Sequence, residues 1–548
     1  MAKKIKGQNI ESPLTKETEA PSSRKTSGRT LSYWVDSVKP APFGKLDRNL
    51  KVDVVIVGAG ISGLTTAYLL SREGKNVAVV EDGNIGSGES GRTTAHISNA
   101  LDDRYSYITE ILGMDKARMA AESHSQAIHI IEDIVQRENI DCDFERLKGY
   151  LFLHPSDNKK TLDDELNATQ QLSIRTEMIE GVPGIPMETG PCLMFPDQAT
   201  FNPIKYLDGL AAAIVRNEGK IFTNTRASKI DDSGILSENG FSIKADFIVV
   251  ATNSPVNDKF AIHTKQAPYR TYVIAGLIKK GTLPHALWWD TGDQNSIWTN
   301  DPYHYVRLQN YNDEYELLIA GGEDHKTGQP NEEGLQEEDR YNNLIKWTYE
   351  RFPVESIEYK WSGQVMEPVD AMAFIGKNPM DSDNVFIATG DSGNGMTHGT
   401  IAGILITDLI IGRHNPWEEL YDPSRKTMKT AGDFIKENLN VAKQFKEYLT
   451  PGDVDSVKDL GPGQGAIIRS GLTKAAVYKD DEGKLFAYSA VCPHLKCILE
   501  WNGEEKTFDC PCHGSRFTCF GKVVNGPAPH DLEEIGITEN GQSGSYDI

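Results

Sequence analysis

The chain has 548 residues, too many for one hydrophobic core, and its composition is typical of a globular protein with about three to four domain-sized units. Its formal net charge of -22, with no basic run to offset it, excludes nucleic acid as an expected partner. No apolar run approaches the roughly 20 residues of a membrane helix, so we expect no membrane span.

The first stretch of the chain, residues 1–30, is polar and rich in Lys, Ser and Glu. It has no apolar core of the kind found in signal peptides, so we expect a disordered tail. Five of the seven cysteines lie between Cys492 and Cys519, which indicates one local site rather than a secreted disulfide framework. Together these features predict a protein of the reducing cytoplasm.

The first structured motif is a dinucleotide-binding fingerprint at residues 52–63. An apolar, β-branched run predicts a strand, which ends in a GxGxxG turn and leads into a helical segment. The next predicted strand, at 77–80, carries an acidic residue at its end. Glycines let the turn approach a pyrophosphate at the helix N-terminus, and the acid can accept a hydrogen bond from a ribose hydroxyl. The predicted cofactor contacts are Gly58, Gly60, Ile61, Ser62, Gly63 and Glu81.

Three later segments favour FAD over NAD as the dinucleotide. A glycine-rich loop at 86–96 contains a basic residue that suits phosphate and flavin contacts. The strand at 247–250 ends in a small-residue turn, and the strand at 384–389 runs into a glycine-rich turn and an apolar helix. The N-terminus of that helix can stabilise negative charge on a reduced flavin. The predicted contacts are Gly88, Ser90, Gly91, Arg92, Thr93, Thr94, Ala95, His96, Thr252, Gly390, Asp391, Gly393, Gly395, Met396 and Thr397.

From Ser32 to about Gly412 the chain resembles the D-amino-acid oxidase-like family of FAD enzymes. It is especially similar to the branch that contains glycine/sarcosine oxidase and gamma-glutamylputrescine oxidoreductase. The matching motifs are GAGISG at 58–63, SGRTTAHIS at 90–98, FNP at 201–203 and ATGDSGNGMTHG at 388–399. The resemblance implies an α/β FAD-binding domain of the Rossmann-like, glutathione-reductase type, together with an α+β substrate domain. It also implies oxidation of a C–N bond in a small amine or amino acid.

The substrate domain is expected at residues 266–361, with part of 147–195. Its alternating strands carry aromatic residues that can shield a reacting flavin from water, although most of them can equally be core residues. These aromatics include Trp288, Trp289, Trp298, Tyr303 and Tyr305. Arg307 and Arg270 are candidates for binding a substrate carboxylate, because a guanidinium fork suits that group. A surface or structural ion pair is the more usual role of an arginine in such a strand. With Tyr305, the two arginines form the predicted catalytic set.

Two short motifs near the C-terminus, Cys492-x-His494 and Cys510-x-x-His513, bring together two thiolates and two imidazoles. A Rieske [2Fe–2S] cluster uses such a set, with thiolates on one iron and histidines on the other. The same residue types also bind structural zinc. Three features favour the cluster. Cys497 and Cys512 each lie a few residues from a ligand pair and are well placed to form a disulfide that braces the two loops. Ser515 is spaced to donate a hydrogen bond to a cluster sulfur, and residues 525–529 (NGPAP) supply a stiff third loop.

The ligand loops resemble those of the Rieske proteins of cytochrome bc complexes, which have the form CxHxxC and CPCHGS. The resemblance implies a disulfide between Cys497 and Cys512 that braces both loops. Those proteins carry a tyrosine where this chain has Phe517, so one hydrogen bond that raises the potential is absent and we expect an intermediate potential. The whole chain resembles bacterial FAD-dependent oxidoreductases with a C-terminal Rieske domain.

These observations predict the order of domains. The FAD-binding domain takes residues 31–265 and 362–415, a charged linker takes 416–458, and a small all-β Rieske domain takes 459–548. We expect electrons from a small amine or amino acid to leave the flavin through the cluster to an external acceptor, which can be a protein, a quinone or oxygen. The alternative is an NAD(P)H-dependent reductase that feeds a partner oxygenase. It would normally need a second nucleotide fingerprint, and the sequence has none.

Overall fold

The structure is a computed structural model that describes residues 27–536 except 40, 258–261, 297–301, 330–333, 380, 427–444, 449 and 471–472. Residues 1–26 of the predicted tail, residues 427–444 of the predicted linker and Trp298 therefore lie outside the described residues. The prediction of a disordered tail is wrong for its last residues, because Ser27 and Thr30 are buried. They bond to two side chains of the C-terminal region, Arg516 and Glu505.

The described strands form four sheets. In chain order they are β1 (Leu50–Val57), β2 (Val77–Val80), β3 (His96–Ile97), β4 (Glu145–Phe152), β5 (Glu177–Ile179), β6 (Cys192–Thr200), β7 (Lys220–Phe222), β8 (Ala227–Asp231), β9 (Gly234–Ser237), β10 (Ser242–Val250), β11 (Gln266–Lys279), β12 (Leu287–Asp290), β13 (Tyr305–Asn310), β14 (Tyr315–Lys326), β15 (Ser356–Pro368), β16 (Phe374–Lys377), β17 (Val385–Thr389), β18 (Gly465–Ser470), β19 (Thr473–Lys479), β20 (Leu485–Ser489), β21 (Glu500–Asn502), β22 (Thr507–Asp509), β23 (Arg516–Thr518) and β24 (Val523–Asn525).

The described α-helices are α1 (Tyr33–Ser37), α2 (Ile61–Arg72), α3 (Tyr105–Leu112), α4 (Met114–Glu138), α5 (Lys159–Gln171), α6 (Pro203–Arg216), α7 (Glu337–Arg351), α8 (Gly395–Ile411) and α9 (Glu418–Tyr421). Short 3-10 turns occur at Glu89–Gly91, His263–Lys265, Phe445–Tyr448 and Val457–Asp459. None of the described helices combines the length and the apolar character needed to cross a membrane.

The first sheet carries the dinucleotide fingerprint. Its strand order is β16-β17-β10-β1-β2-β7, and β9 joins it through β10. β1 pairs in parallel with both β2 and β10, and its last residues, 54–57, are buried, as expected for a central parallel strand. α2 follows β1, and α8 follows β17, so both helices begin at the same edge of the sheet. They pack closely there, because a Cβ at Gly399 would lie 2.4 Å from Ile61.

The second sheet unites the two sequence segments assigned to the substrate domain. Its order is β15-β11-β14-β13-β12-β4-β6-β3, with β5 paired to β6. β4 and β6 come from the earlier segment and β11 to β15 from the later one. Trp288 of β12 is fully buried in the apolar core of this sheet, whereas its neighbour Trp289 borders a cavity. The aromatic residues therefore divide between core and cavity wall.

Two small antiparallel sheets, β18-β19-β20 and β21-β22-β23-β24, form the C-terminal domain. The Cys492 loop lies between β20 and β21, and the Cys510 loop lies between β22 and β23. Part of the predicted linker belongs to the flanking domains. Leu420 and Tyr421 of α9 are buried in the core of the FAD-binding part, and Val454 forms a bridge with Ile468 of β18.

Candidate active site and cluster site

One cavity of about 1220 Å³ touches all three parts of the chain. Its wall includes the glycine turn after β1, aromatic residues of the second sheet, and residues 493–495 and 523–529 of the C-terminal domain. The sequence motifs for the nucleotide and for the cluster therefore meet at a single space. Of the predicted cofactor contacts, those that line it are Gly58, Gly60, Ile61, Ser62, Glu81, Gly88, Ser90, Arg92, Thr93, Thr94, His96, Thr252, Asp391, Gly393, Gly395 and Met396. Those that lie behind it are Gly63, Gly91, Ala95, Gly390 and Thr397.

The turn between β1 and α2 has the shape that a dinucleotide needs. Gly58 has a φ of +108°, and a Cβ there would lie 2.3 Å from the carbonyl oxygen of Ala251. A Cβ at Gly63 would lie 2.0 Å from the carbonyl oxygen of Gly58. Only glycine fits either position. Gly60, Ile61 and Ser62 at the N-terminus of α2 line the cavity where a pyrophosphate would lie, and the Ile61 N–H donates to the Ser90 hydroxyl at 3.0 Å. The residues present therefore fit FAD.

Glu81 stands at the end of β2, where the fingerprint predicts a ribose-binding acid. Its carboxylate accepts the backbone N–H of Ala59 at 2.7 Å and that of Gly83 at 3.0 Å. Burial, together with the neighbouring Asp82, raises the pKa of Glu81 to about 8. These two backbone bonds fix the carboxyl group beside the glycine turn.

The N-terminus of α8 brings His398 together with His124 of α4. His398 lines the cavity, and its Nδ1 lies 2.8 Å from the carbonyl oxygen of Asp391, so this nitrogen must donate. Its Nε2 therefore accepts from Nε2 of His124 at 3.2 Å. Burial lowers the pKa of His398 to about 4, so the imidazole is neutral. Its partner lies on α4, a distant helix, which is why no local motif reveals the pair.

Carboxyl and phenol groups line the part of the cavity next to Gly393. A Cβ at Gly393 would lie 1.8 Å from Oδ2 of Asp102, and the rings of Tyr303 and Tyr305 pack with their centroids 5.3 Å apart. Burial raises the pKa of Asp102 to about 6 and that of Asp324 to about 7. Asp102 and Asp324 come from separate loops and strands, and no sequence pattern marked them.

The two predicted cluster thiols lie side by side in the C-terminal domain. The side chains of Cys492 and Cys510 are hydrogen-bonded to each other, and the Ser515 hydroxyl also bonds to the sulfur of Cys492. Backbone N–H groups of His494 and of His513 bond to the sulfurs of Cys492 and Cys510, respectively. Such bonds to sulfur are what an anionic iron–sulfur group requires.

The two predicted histidine ligands complete the set. Their rings lie with centroids 5.0 Å apart, and Nδ1 of His513 is buried without a hydrogen-bond partner among the described residues. Burial, and then His494 and His263, lower the pKa of His513 to about 3, so its ring is neutral as a metal ligand must be. The donor set therefore fits a [2Fe–2S] cluster, with thiolates and histidines as the sequence predicts.

A disulfide joins Cys497 to Cys512 and braces the two ligand loops. Sγ of Cys510 lies within 4.8 Å of both disulfide sulfurs. Because a disulfide sulfur is not a thiolate, those two atoms stand beside the cluster site and are not candidate ligands. The amide of Ala528 in the third loop donates to the Ser515 hydroxyl at 3.0 Å, which places that loop over the site.

Both the FAD-binding part and the C-terminal domain match known protein families. The family described as FAD dependent oxidoreductase (DAO) matches residues 53–409, and the Rieske [2Fe-2S] domain matches residues 450–536. The chain belongs to the DAO family of FAD-dependent oxidoreductases. As a member with a Rieske domain, this oxidoreductase binds FAD and a [2Fe–2S] cluster. The predicted fold class, a Rossmann-like FAD-binding domain with a substrate domain and a Rieske domain, is confirmed.

Individual relatives cover either the whole oxidoreductase or its FAD part. The Bacillus subtilis (strain 168) protein YhfW, named as a Rieske 2Fe-2S iron-sulfur protein, is 32% identical over 92% of this chain and 97% of its own. The gamma-glutamylputrescine oxidoreductase of Escherichia coli (strain K12) is 26% identical over 70% of this chain and 89% of its own. The crystal structure of glycine oxidase from Geobacillus kaustophilus superposes on 69% of this chain and 100% of its own, with a TM-score of 0.55 and 17% identity.

Two of the three predicted catalytic residues of this oxidoreductase do not reach the cavity. Arg307 is buried, and its guanidinium donates to the backbone carbonyls of Ala95 and Phe201, both at 3.0 Å. Arg270 is buried beside Ser362 and forms an ion pair with Glu505. Neither guanidinium is placed to bind a substrate carboxylate, because each is already used to join parts of the fold. The third residue, Tyr305, does line the cavity.

The basic residue of the second glycine-rich loop also has a partner that the sequence did not suggest. The guanidinium of Arg92 donates to Glu505 of the Rieske domain at 2.9 Å and to the carbonyl of Thr30 at 2.7 Å. It therefore joins the Rieske domain to the cofactor loop, where the sequence predicted a phosphate contact. This partner is separated from Arg92 by more than four hundred residues, so only the fold brings the two together.

Proposed function

We propose that this FAD-dependent oxidoreductase oxidises the C–N bond of a small amine and passes the electrons through its Rieske cluster to an external acceptor. Bound FAD supplies an acceptor for a hydride, and the cluster supplies a carrier for single electrons. Loss of a hydride from the carbon beside an uncharged amine nitrogen leaves an iminium cation. Water then adds to this cation, and the adduct breaks down to a carbonyl compound and ammonia or a smaller amine, with release of a proton. The similarity to a gamma-glutamylputrescine oxidoreductase supports an amine as the substrate class.

The observation that carries this proposal is the shared cavity. One part of its wall contains the glycine turns of the FAD site. Another part contains His494 and residues 523–529 of the Rieske domain. The cluster histidine therefore borders the same space as the cofactor motifs. A domain with an unrelated function would have no reason to contribute its ligand loop to this wall.

The lining of the cavity favours a cationic amine over an amino acid. Asp102, Asp324 and Tyr305 line it, while the two arginines predicted to bind a carboxylate lie behind it. Arg104 also borders this region, but its guanidinium is engaged by the backbone carbonyls of Leu101 and Asp290 at 3.3 Å. Carboxyl groups attract an ammonium and repel a carboxylate. The aromatic rings beside them exclude water from the reacting carbon.

The test is an anaerobic substrate screen that follows both cofactors at once. The oxidised protein is mixed with primary, secondary and N-methylated amines, diamines, and D- and L-amino acids. Flavin absorbance reports the first step, and the EPR signal of the reduced cluster reports the second. We expect an amine to bleach the flavin and to produce the cluster signal within the same experiment.

Three other outcomes would each contradict a different part of the proposal. Bleaching of the flavin without a cluster signal would contradict the electron path while leaving the amine chemistry intact. Rapid reduction by NADH or NADPH, with no response to amines, would support the reductase that feeds a partner oxygenase. Turnover with amino acids alone would overturn the preference for a cationic amine.

A further inference from the structure

The Rieske domain inserts one buried carboxylate into the FAD-binding part of the molecule. Glu505 lies in the loop between β21 and β22, and its side chain is completely buried. It forms ion pairs with Arg92 at 2.9 Å and with Arg270 at 3.3 Å. Arg92 belongs to the cofactor loop and Arg270 to β11 of the substrate sheet, so one carboxylate joins three parts of the chain.

Two further donors complete the surroundings of this carboxylate. The Ser362 hydroxyl of β15 donates at 2.5 Å. Thr30 donates twice, from its backbone N–H at 3.0 Å and from its hydroxyl at 2.5 Å. A buried charge is stable only when it is paired and hydrogen-bonded in this way. The segment at 27–30 is thereby held between the cofactor loop and the Rieske domain.

The loops that carry the cluster ligands also contact the FAD-binding part and the substrate sheet. Gln364 of β15 donates to the carbonyl of Gly514 at 3.0 Å, and Gln329 donates to the carbonyl of Pro511, also at 3.0 Å. The ring of His263 lies with its centroid 4.9 Å from that of His494. The histidine side of the cluster site thus faces the FAD-binding part and not the outside of the molecule.

We propose that Glu505 is a positioning residue that keeps the Rieske domain permanently docked as one wall of the FAD cavity. Movement of the domain would separate Glu505 from both guanidiniums and would withdraw residues 493–495 and 523–529 from the cavity wall. While the domain stays docked, electrons enter the cluster in one fixed geometry, and the release of FAD is slowed because the domain covers part of the cavity. The first consequence rests on the proposed function, whereas the second does not.

The test compares Glu505→Gln with a matched control, Glu504→Gln. Glutamine keeps the shape of the side chain and removes the charge that both arginines need. Glu504 is the neighbouring residue and also pairs across the interface, with Lys360 at 2.8 Å, but these side chains are 19% and 22% exposed. Glu504 pairs with Lys360 and not with Arg92 or Arg270, so the control should leave FAD release, amide exchange and cluster reduction unchanged. Thr30→Val is a milder second variant that removes one donor and leaves all charges in place.

Three measurements are made on the full-length holoprotein. We expect Glu505→Gln to release FAD at least about tenfold faster on dilution and to exchange the backbone amides of residues 29 and 30 faster. With a reducing amine, the rate of flavin reduction in Glu505→Gln should stay within about twofold of that in the unaltered protein. The rate of cluster reduction should fall at least about tenfold. Thr30→Val should shift each quantity in the same direction by less, and Glu504→Gln should shift none.

Failure of the proposed role of Glu505 can be distinguished from failure of the proposed electron path. If no substrate reduces the cluster even in the unaltered protein, the proposed electron path fails, and FAD release and amide exchange still decide the role of Glu505. If Glu505→Gln does not fold, Thr30→Val decides in its place. FAD release and amide exchange that match those of Glu504→Gln in both variants would overturn the proposal.

Discussion

Phe517 is a single side chain that bears on the redox potential of the cluster. It is buried in the apolar cluster that also contains Cys492 and Cys510, and it has no hydroxyl to donate to either sulfur. A hydrogen bond to a cluster sulfur stabilises the reduced form, which carries more negative charge, and so raises the potential. The phenylalanine leaves this bond unmade.

We expect Phe517→Tyr to raise the cluster potential by about 60–130 mV. The range follows from about 1.5–3 kcal/mol for a hydrogen bond to a charged group and about 59 mV per tenfold change for a one-electron couple. An EPR-monitored redox titration measures the shift. Phe520→Tyr is the control, because Phe520 is 47% exposed and should leave the potential unchanged. An unchanged potential in Phe517→Tyr would contradict the assigned role.

The buried carboxyl groups of the cavity predict the pH dependence of amine oxidation. Burial raises the pKa of Asp102 to about 6 and that of Asp324 to about 7, so both become negative only above these values. A cationic amine binds the negative form, and kcat/KM should therefore rise with pH through the range of about 6–7. Asp324→Asn should lower kcat/KM at high pH and flatten the upper part of the rise. A profile that is level or falls across this range would argue against binding of the ammonium by these residues.

At the scale of elements, the cofactor site depends on two helices that begin at the same edge of the first sheet. α2 starts directly after the Gly58 turn, and α8 starts at Gly395 after β17. Close packing of α8 on α2 through Gly399 holds both N-termini toward the cavity. Two positive helix ends aimed at one space suit a cofactor that carries phosphates and becomes more negative on reduction.

Gly58→Ala should disable this turn. The positive φ strains any L residue by about 1–3 kcal/mol, and the added Cβ would also clash with the Ala251 carbonyl. We expect loss of bound FAD and a lower temperature of unfolding, measured by flavin content and by calorimetry. Gly44→Ala is the control, since a Cβ there meets nothing within 4 Å. Full flavin content in Gly58→Ala would show that the turn does not approach the cofactor.

At the scale of the whole molecule, buried charges join domains that the sequence analysis assigns as separate units. Besides the ion pairs of Glu505, Arg516 of the Rieske domain is fully buried, pairs with Asp509 at 3.1 Å and donates to the carbonyl of Ser27. The N-terminal segment, the FAD-binding part and the Rieske domain therefore share one interior. We expect them to unfold together and not as independent units.

Arg270→Met tests this coupling directly. Removal of one member of a buried ion pair costs about 3–5 kcal/mol, so the free energy of unfolding should fall by this amount. The equivalent change at a solvent-exposed pair, Arg118→Met, should cost about 0–1 kcal/mol, because Arg118 and its partner Asp115 are 46% and 92% exposed. Denaturant titration measures both. A stable Arg270→Met variant with a greatly reduced kcat/KM would instead place Arg270 at the substrate, which is the less usual of the two roles that the sequence left open.

The sequence by itself determined the features that short local patterns specify. The glycine turn after β1, the acid at the end of β2 and the two cluster motifs are local patterns, because backbone conformation and ligand geometry restrict which residues can stand there. The family and both cofactors followed from these patterns. The sequence also indicated that the aromatic residues would divide between core and cavity, but it could not say which would do which.

Only the tertiary structure decided which distant residues meet. Arg92, Arg270 and Glu505 carry no local signal of their pairing, and the carboxyl groups of Asp102 and Asp324 converge only once both large sheets are in place. An arginine in a strand looks the same in the sequence whether it binds a substrate or a buried carboxylate. The difference depends on which charge the fold brings within reach, because electrostatic attraction depends on separation in space and not along the chain.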